Sequence, residues 1–212
     1  MSHSPLDYGY VPGVLPAMID QARRQRAKDR LVVEKLADCF RPGSILEIGA
    51  GCGQLTELLR QRHLDVTASD VQPFFVEYMV ARGLPALILD ALDLSAGIVK
   101  PYDNIFSQSI STLINPDPET IRRTYESVRA ALNPGGRFVF ILPSRWGKHW
   151  SNASDHQLIA EVTGLVLLRK FRNQALPSPL YARLPISALR NIEGSIGRVV
   201  GVRWILVFAR PT

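Results

Sequence analysis

The segment best suited to binding a ligand is a run of alternating glycines. Residues 46–54 read LEIGAGCGQ, and the glycines are Gly49, Gly51 and Gly53. Glycine lets the backbone bend sharply and leaves room for a ligand to approach the main chain. An apolar run precedes these glycines and leucines at helical spacing follow them, which predicts a strand, a tight turn and a helix. Because the acid Glu47 stands just before the turn, the spacing indicates a polar ligand site at the end of that strand.

Two further acids follow the next two predicted strands. Asp70 comes 21 positions after Gly49, at the end of strand 66–69, and Asp90 follows strand 86–89. An acid at the first position can accept hydrogen bonds from both hydroxyls of a ribose. An acid at the second can accept one from an adenine amino group, while apolar neighbours cover the ring. Those neighbours are Val71, Ala91 and Leu92. The acids therefore predict a nucleoside-binding crevice at one edge of a parallel sheet.

Short apolar runs alternate with helical periods along most of the chain. One or two helices are predicted over 15–40, and the strands that follow are 44–48, 66–69, 86–89, 105–109 and 137–142. Strands separated by helices indicate βαβ units on a parallel sheet, which is an α/β fold. The tail is predicted as helix 154–163, strand 165–172, loop 173–185, helix 187–197 and strand 202–209. We expect the last two strands to form an antiparallel edge.

The helix before the fifth strand has the clearest pattern of the predicted helices. Asp117 followed by proline is typical of an N-cap with proline at the first helical position. One face of this helix carries the apolar residues Ile121, Tyr125, Val128 and Leu132. That face is predicted to be buried. The sequence NPGG over 133–136 predicts the end of the helix.

Composition excludes several classes of protein. The chain has 212 residues, 46% of them hydrophobic and 21% charged, which fits one globular domain rather than a disordered chain. It contains no apolar run of membrane-spanning length and no secretory pattern at its start, so we expect a cytoplasmic protein. Cys39 and Cys52 are too few for a disulfide framework or a four-ligand zinc site. They are predicted to be packing residues, and no metal site is predicted.

The chain has a net charge of +6, and the predicted N-terminal helix contains a cluster of cations. Most of the basic character of this segment comes from Arg23, Arg24, Arg26, Lys28 and Arg30. A solvated helix face is the expected explanation, and a stripe that faces an anion is the alternative.

The glycine turn and its acids resemble those of the class I S-adenosylmethionine-dependent methyltransferases. The residues that carry the resemblance are Glu47, Gly49, Gly51, Gly53, Asp70 and Asp90. Residues 102–109 are similar to the fourth strand of this family, and residues 132–138 to the turn before its fifth. The resemblance covers roughly residues 30–145. It implies a Rossmann-like, doubly wound sheet of seven strands, mostly parallel, with an antiparallel C-terminal strand.

The resemblance implies a methyl donor, S-adenosyl-L-methionine, which leaves as S-adenosyl-L-homocysteine. Its adenosine is expected between Asp70 and Asp90, and its methionine portion over the glycine turn. The expected donor-binding residues are Glu47, Gly49, Ala50, Gly51, Gly53, Asp70, Val71, Asp90, Ala91, Leu92, Ser107 and Tyr10. The chain is expected to be one domain over 1–212, with an N-terminal lid and helical segment over 1–40. Acceptor-side and tail elements are expected over 143–200.

The acceptor is expected to contact the segment after the fifth strand. Residues 143–150 read PSRWGKHW, which combines two cations, two indoles and an imidazole. Arg145 can hold a carboxylate or phosphate, and Trp146 and Trp150 can stack on a ring. His149 is the candidate general base, because an imidazole titrates near neutral pH. Tyr8 is a further substrate-binding candidate, from the segment 7–10 that, with loop 173–185, is a candidate lid.

These features favour methyl transfer to a small anionic or aromatic molecule, with O-methylation slightly preferred over N-methylation. The residues 107–109, SQS, differ from the Asn-Pro-Pro-aromatic motif of enzymes that methylate base amines in nucleic acids. One alternative is an RNA or protein methyltransferase that uses the basic helix, and another is a donor-binding module without activity. A nicotinamide oxidoreductase is disfavoured, because Gln54 occupies the position of the third glycine in that fingerprint.

Overall fold

Seven strands form one sheet within the part of the chain that the structure describes. The computed structural model describes residues 13–114, 117–142, 153–173, 181, 183–195 and 203–212. The strands are β1 (Ile45–Ile48), β2 (Val66–Asp70), β3 (Ala86–Ile88), β4 (Tyr102–Gln108), β5 (Leu132–Leu142), β6 (Val166–Asn173) and β7 (Arg203–Ala209). Their order across the sheet is β3-β2-β1-β4-β5-β7-β6. β1 to β5 are parallel, and β7 is antiparallel to both β5 and β6. The predicted α/β fold, mostly parallel with an antiparallel C-terminal strand, is confirmed.

Helices cover both faces of this sheet. They are α1 (Val14–Ala37), α2 (Gln54–Arg60), α3 (Pro73–Ala81), α4 (Ser111–Ile114), α5 (Pro118–Ala131), α6 (Ala153–Val162) and α7 (Ile186–Ser195). Val32 and Leu36 of α1 pack with Phe106 and Ile205 in the core of one face. α5 and α6 pack on the core of the opposite face. Because both faces are covered, the central strands are buried and largely apolar, and all four residues of β1 are buried, Glu47 among them.

The cations of helix α1 are only partly exposed to solvent, whereas the sequence predicts a solvated face. Arg23, Arg24 and Arg30 are exposed, as a solvated face requires. Lys28, by contrast, is only 4% exposed, and so is its neighbour Asp29. The expected solvated face therefore does not include Lys28, because this part of α1 lies against the sheet.

Helix α5 begins where the sequence predicts. The Asp117 carboxylate accepts the backbone N–H groups of Glu119 and Thr120 at 3.3 and 3.0 Å, which caps the helix. The residues of its predicted apolar face are all buried. The segment 133–136 belongs to β5 rather than to a separate turn. It interrupts the pairing of β4 with β5, because the register shifts between the pairs Tyr102–Leu132 and Asn104–Arg137.

None of the helices that the structure describes combines the length and the apolar composition needed to cross a bilayer.

Candidate functional site

The glycine turn adopts backbone conformations that favour glycine. The φ angles of Gly51 and Gly53 are +55° and +74°, in the left-handed region that side chains with a Cβ rarely adopt. A Cβ on Gly51 would come within 2.8 Å of Met18 Cε. A Cβ on Gly53 would meet Met79 Sδ at 2.8 Å and a leucine methyl at 2.9 Å. Gly51 therefore leaves space at the wall of a cavity beside Met18. Gly53 leaves space for the buried side chains that pack against the turn.

The carboxylate of Asp70 is tied to this turn. Its Oδ2 accepts the backbone N–H of Gly51 at 2.9 Å, and its Oδ1 accepts the backbone N–H of Gln72 at 3.0 Å. Burial raises the pKa of Asp70, while hydrogen bonds from backbone N–H groups oppose this shift. A carboxylate has about four lone-pair sites, so it can still accept hydrogen bonds from a ligand. The acid at the end of β2 thus fixes the bend after β1 and presents acceptors beside it.

A cavity of about 350 Å³ opens above the carboxyl edge of the sheet. It brings together six of the predicted donor-binding residues: Gly49, Gly51, Asp70, Val71, Asp90 and Ala91. Its remaining walls include residues that the sequence analysis missed: Met18, Gln72, Phe75, Leu89, Ser109, Ile110, Ser111 and Thr112. Its volume lies in the range typical of small-molecule sites. Ser109 has a positive φ of 59°, which marks a sharp bend directly after β4.

Four other predicted residues, Leu92, Ser107, Glu47 and Ala50, do not line this cavity. The backbone N–H of Leu92 donates to Asp90 Oδ1 at 2.9 Å, so Leu92 orients that carboxylate. Ser107 is fully buried, and its Oγ has no hydrogen-bond partner within the described structure. Glu47 and Ala50 line a second cavity instead.

The second cavity is smaller and more polar, with a volume of about 140 Å³. It shares Met18, Gly49 and Gly51 with the first, so the two meet at the glycine turn. Its polar wall consists of Gln21, Gln25, Asp29, Glu47, Gln54 and Gln108. The two cavities together form one continuous site that passes the glycine turn.

Asp29 is the least expected residue of this smaller cavity. The Nε2 of Gln54 donates to Asp29 Oδ2, whereas Oδ1 is buried and has no partner among the residues that the structure describes. Burial raises the pKa of Asp29, with Lys28 as the largest opposing influence. The sequence does contain a signal, because Asp29 falls at helical spacing from the apolar residues Val32 and Leu36. An acid on the buried stripe of a helix is costly unless a partner or ligand meets it.

Glu47 is buried beneath the turn. Thr56 Oγ1 donates to its carboxyl Oε2, and burial raises the pKa of Glu47 to about 8. The carboxyl group is therefore protonated and neutral at pH 7. In this form it can both accept the threonine hydrogen bond and donate one of its own.

We expect the substitution Glu47→Gln to change how stability depends on pH. Unfolding lowers the pKa of Glu47 from about 8 to its ordinary 4.5, so the folded protein holds a proton that the unfolded chain releases. The stability of the wild type therefore falls as the pH rises from about 4.5 to 8. Glutamine has no such titration, so the variant should match the wild type near pH 5. Near pH 8 it should be more stable by roughly 3 to 5 kcal/mol.

Urea unfolding of both proteins at pH 5, 6, 7 and 8 measures this difference. Glu126→Gln, a change at an exposed helical position, is the matched control and should leave the slope unchanged. A constant gap between wild type and Glu47→Gln across these pH values would show that the Glu47 carboxyl is ionised in the folded protein.

The predicted acceptor-side residues lie outside the described residues. These are Tyr8, Arg145, Trp146, His149 and Trp150, together with most of loop 173–185 and segment 7–10, which includes the predicted donor-binding residue Tyr10. His156, a histidine of α6, lies inside the core. Its Nδ1 is 3.0 Å from the hydroxyl oxygen of Tyr125, and burial lowers the pKa of His156 to about 4. His156 is therefore a packing residue.

Comparison with protein families identifies the central part of the chain. Residues 46–138 match a family model described as a methyltransferase domain. The matched segment begins one residue before Glu47 and includes the glycine turn, Asp70 and Asp90. No curated protein matches the chain in sequence.

Solved structures share the fold at low sequence identity. The CcbJ methyltransferase from Streptomyces caelestis has a TM-score of 0.64 and 12% identity, over 88% of this chain and 90% of its own. The N-methyltransferase NodS from Bradyrhizobium japonicum WM9, in complex with S-adenosyl-L-homocysteine, has a TM-score of 0.60 and 20% identity, over 90% and 88%. The glycopeptide N-methyltransferase MtfA, also complexed with S-adenosyl-L-homocysteine, has a TM-score of 0.63 and 16% identity, over 86% and 87%.

These likenesses establish the fold, and the family model establishes the domain within it. The protein therefore has the Rossmann-like fold of these methyltransferases, and its segment 46–138 carries the match to the methyltransferase-domain family.

Proposed function

We propose that this protein transfers the methyl group of S-adenosyl-L-methionine to a small-molecule acceptor. The donor would occupy the two adjoining cavities at the glycine turn. The observation that carries the proposal is the Asp70 carboxylate, anchored on the N–H of Gly51 at the floor of the larger cavity. The adenosine would lie in that cavity, with Asp70 at its ribose and Asp90 near its base. Val71 and Ala91 supply apolar surface for the ring.

The methionine portion of the donor would extend over the glycine turn into the smaller cavity. The residues there fit its ammonium group, because Asp29 Oδ1 is buried and has no partner within the described structure. A charge-assisted hydrogen bond to an ammonium would satisfy this oxygen. A Cβ at position 51 would narrow the passage where the two cavities join, because it would come close to Met18. This explains the glycine at that position.

The donor supplies a methyl carbon that is already electrophilic, because it is bonded to a sulfonium sulfur. The protein therefore contributes mainly alignment of donor and acceptor and exclusion of water. We propose that the chain acts as one domain in which segment 1–40 and the elements of 143–200 enclose the acceptor. Tyr8, Arg145, Trp146 and Trp150 are proposed to contact the acceptor, and Tyr10 and Ser107 the donor.

O-methylation is the reaction that the sequence favours, and it requires removal of a hydroxyl proton. We assign this step to His149, which would take the proton on an imidazole nitrogen. N-methylation is the second candidate, since NodS and MtfA are described as N-methyltransferases. A neutral amine has its own lone pair and depends less on a base, so loss of His149 would impair O-methylation more strongly.

We expect Asp29→Asn to weaken binding of S-adenosyl-L-homocysteine about tenfold, since a charge-assisted hydrogen bond contributes roughly 1.5 to 3 kcal/mol. Binding of 5′-methylthioadenosine, which lacks the amino-acid portion, should be unchanged. Isothermal titration calorimetry measures both affinities. Asp20→Asn is the control, because Asp20 lies on the exposed part of the same helix and pairs with Arg24.

The wild-type titration also tests the donor itself. S-adenosyl-L-homocysteine should bind, and native mass spectrometry of freshly purified protein should show it carried over. A wild type that binds neither compound would overturn the proposed function. Equal weakening of both compounds by Asp29→Asn would place Asp29 outside the methionine subsite.

A further inference from the structure

A row of polar side chains lies on the α1-facing side of the sheet, at its carboxyl edge. Gln108 ends β4, Arg203 begins β7 and Asn173 ends β6, so all three stand at the same edge. Side chains two residues apart on a strand share a face. Two residues further into each strand are the apolar residues that pack with α1: Phe106, Ile205 and Phe171. The polar row therefore continues this apolar face at the level of Lys28 and Asp29.

Two hydrogen-bond donors in this row have no partner among the residues that the structure describes. Arg203 Nη1 and Asn173 Nδ2 are buried, and neither meets an acceptor within the described part of the chain. Asn173 is only 2% exposed, and its Oδ1 accepts a hydrogen bond from Lys35 Nζ at 2.8 Å. Because a lysine only donates, this bond fixes the amide with its NH₂ group turned away. Buried donors without partners are rare in folded proteins, and each requires an explanation.

The two donors belong to neighbouring side chains. Asn173 and Arg203 are paired directly across β6 and β7, so their Cβ atoms lie on the same face about 5 Å apart. Two N–H donors on adjacent side chains of one face can each bond to one oxygen of a carboxylate, or of another small oxyanion.

The charges around the pair also favour an anion. Lys28 is buried beside Arg203, and its pKa is lowered to about 8 by burial first and by Arg203 second. Asp29 is the acid that offsets these cations, so the cluster of Lys28, Asp29 and Arg203 has an excess of one positive charge. Lys28 Nζ donates to Gln25 Oε1 at 3.0 Å, which leaves it further N–H groups for a ligand.

We propose that Arg203 and Asn173, with Lys28 beside them, bind an oxyanion carried by the methyl acceptor, and that this group is a carboxylate. The inference rests on the proposed function, because it places the acceptor beside the donor cavities. Gln108 links the two regions, since it lines the smaller cavity and its Oε1 is buried without a partner in the described structure. That oxygen would accept a hydrogen bond from the hydroxyl or amine that is methylated.

The strand spacing sets the length of such an acceptor. β7 lies two strands from β4, about 10 Å across the sheet, and the side chains of Arg203 and Gln108 reach part of this distance. The carboxylate and the methylated atom should therefore be separated by about the width of one aromatic ring. A hydroxy- or amino-substituted aromatic acid satisfies this requirement.

Binding of matched probes to the protein saturated with S-adenosyl-L-homocysteine tests this site. The probes are 4-hydroxybenzoate, 4-aminobenzoate, benzoate and inorganic phosphate, with uncharged 4-hydroxybenzamide as the comparison. We expect the carboxylates to bind at least about tenfold more tightly than the amide, since a charge-assisted contact is lost with the amide. Arg203→Gln and Asn173→Asp should each remove this preference. Arg169→Gln, an exposed cation of β6, should retain it.

The affinity of each variant for S-adenosyl-L-homocysteine separates this inference from the proposed function. For Asn173→Asp it should stay within about twofold of the wild type, because Asn173 does not line the donor cavities, and it also shows that the variant is folded. Arg203→Gln should not weaken it, because Arg203 does not line these cavities either and its loss removes a cation that competes for Asp29. If the wild type binds the donor product but prefers no carboxylate over the amide, the anion site is overturned while the methyltransferase proposal stands. Binding of phosphate alone, dependent on Arg203, would overturn the carboxylate assignment.

Discussion

Gly51→Val should abolish binding of S-adenosyl-L-homocysteine, with an affinity loss of more than about 100-fold. Both cavities meet at Gly51, so a branched side chain there would occupy the path that the donor takes between them. The φ of +55° adds strain of roughly 1 to 3 kcal/mol for a β-branched residue, which lowers the stability of the fold but does not by itself remove it. Calorimetric titration gives the affinity, and urea unfolding gives the stability.

A pair of alanine variants separates binding from folding at this turn. Gly51→Ala would meet only the terminal methyl of Met18, a flexible side chain that can shift. Gly53→Ala would meet buried atoms of Met79 and Leu84 at 2.8 and 2.9 Å. We expect Gly51→Ala to reduce mainly donor affinity and Gly53→Ala to reduce mainly stability, by roughly 2 to 4 kcal/mol. Retained donor binding by folded Gly51→Val would show that the ligand does not pass over this turn.

Asp70→Ala should weaken binding of S-adenosyl-L-homocysteine about 100-fold, for two reasons. The substitution removes the carboxylate that would accept the ribose hydroxyls, and it removes the anchor that holds the Gly51 N–H at 2.9 Å. Asp70→Asn, which keeps the shape and one acceptor, should lose only about tenfold. Calorimetry measures each affinity, and 5′-methylthioadenosine should follow the same order because it retains the ribose.

Asp90→Asn compares the second acid of the same cavity with Asp70. Asp90 is exposed, so a charge lost there should cost only a few-fold in affinity. Unchanged affinity of folded Asp70→Ala would remove Asp70 from the donor site. A larger loss at Asp90 than at Asp70 would reverse their proposed roles.

The order of the helices and strands follows from the sequence alone. So does the part of the candidate site that consists of the glycine turn, Asp70 and Asp90. Each glycine of the turn and each acid after a strand depends on neighbours within about twenty residues, so local spacing is sufficient to place them. Asp70 reaches the glycine turn because parallel strands β1 and β2 end at the same edge, a property of every βαβ unit. Even the residues of the predicted α5 face were correct, since their burial follows from helical periodicity.

The cluster of Lys28, Asp29 and Arg203 could not be predicted from the sequence, because it depends on the tertiary structure. Lys28 and Asp29 resemble solvated charges in a basic helix, and nothing near them in the sequence indicates what covers them. Arg203 meets them from β7, more than 170 positions later along the chain, because the reversed strand begins where the parallel strands end. Periodicity predicts that a residue faces inward, but the identity of its partner depends on which distant strand lies opposite. Contacts of this kind arise when the sheet assembles, and local sequence patterns do not contain them.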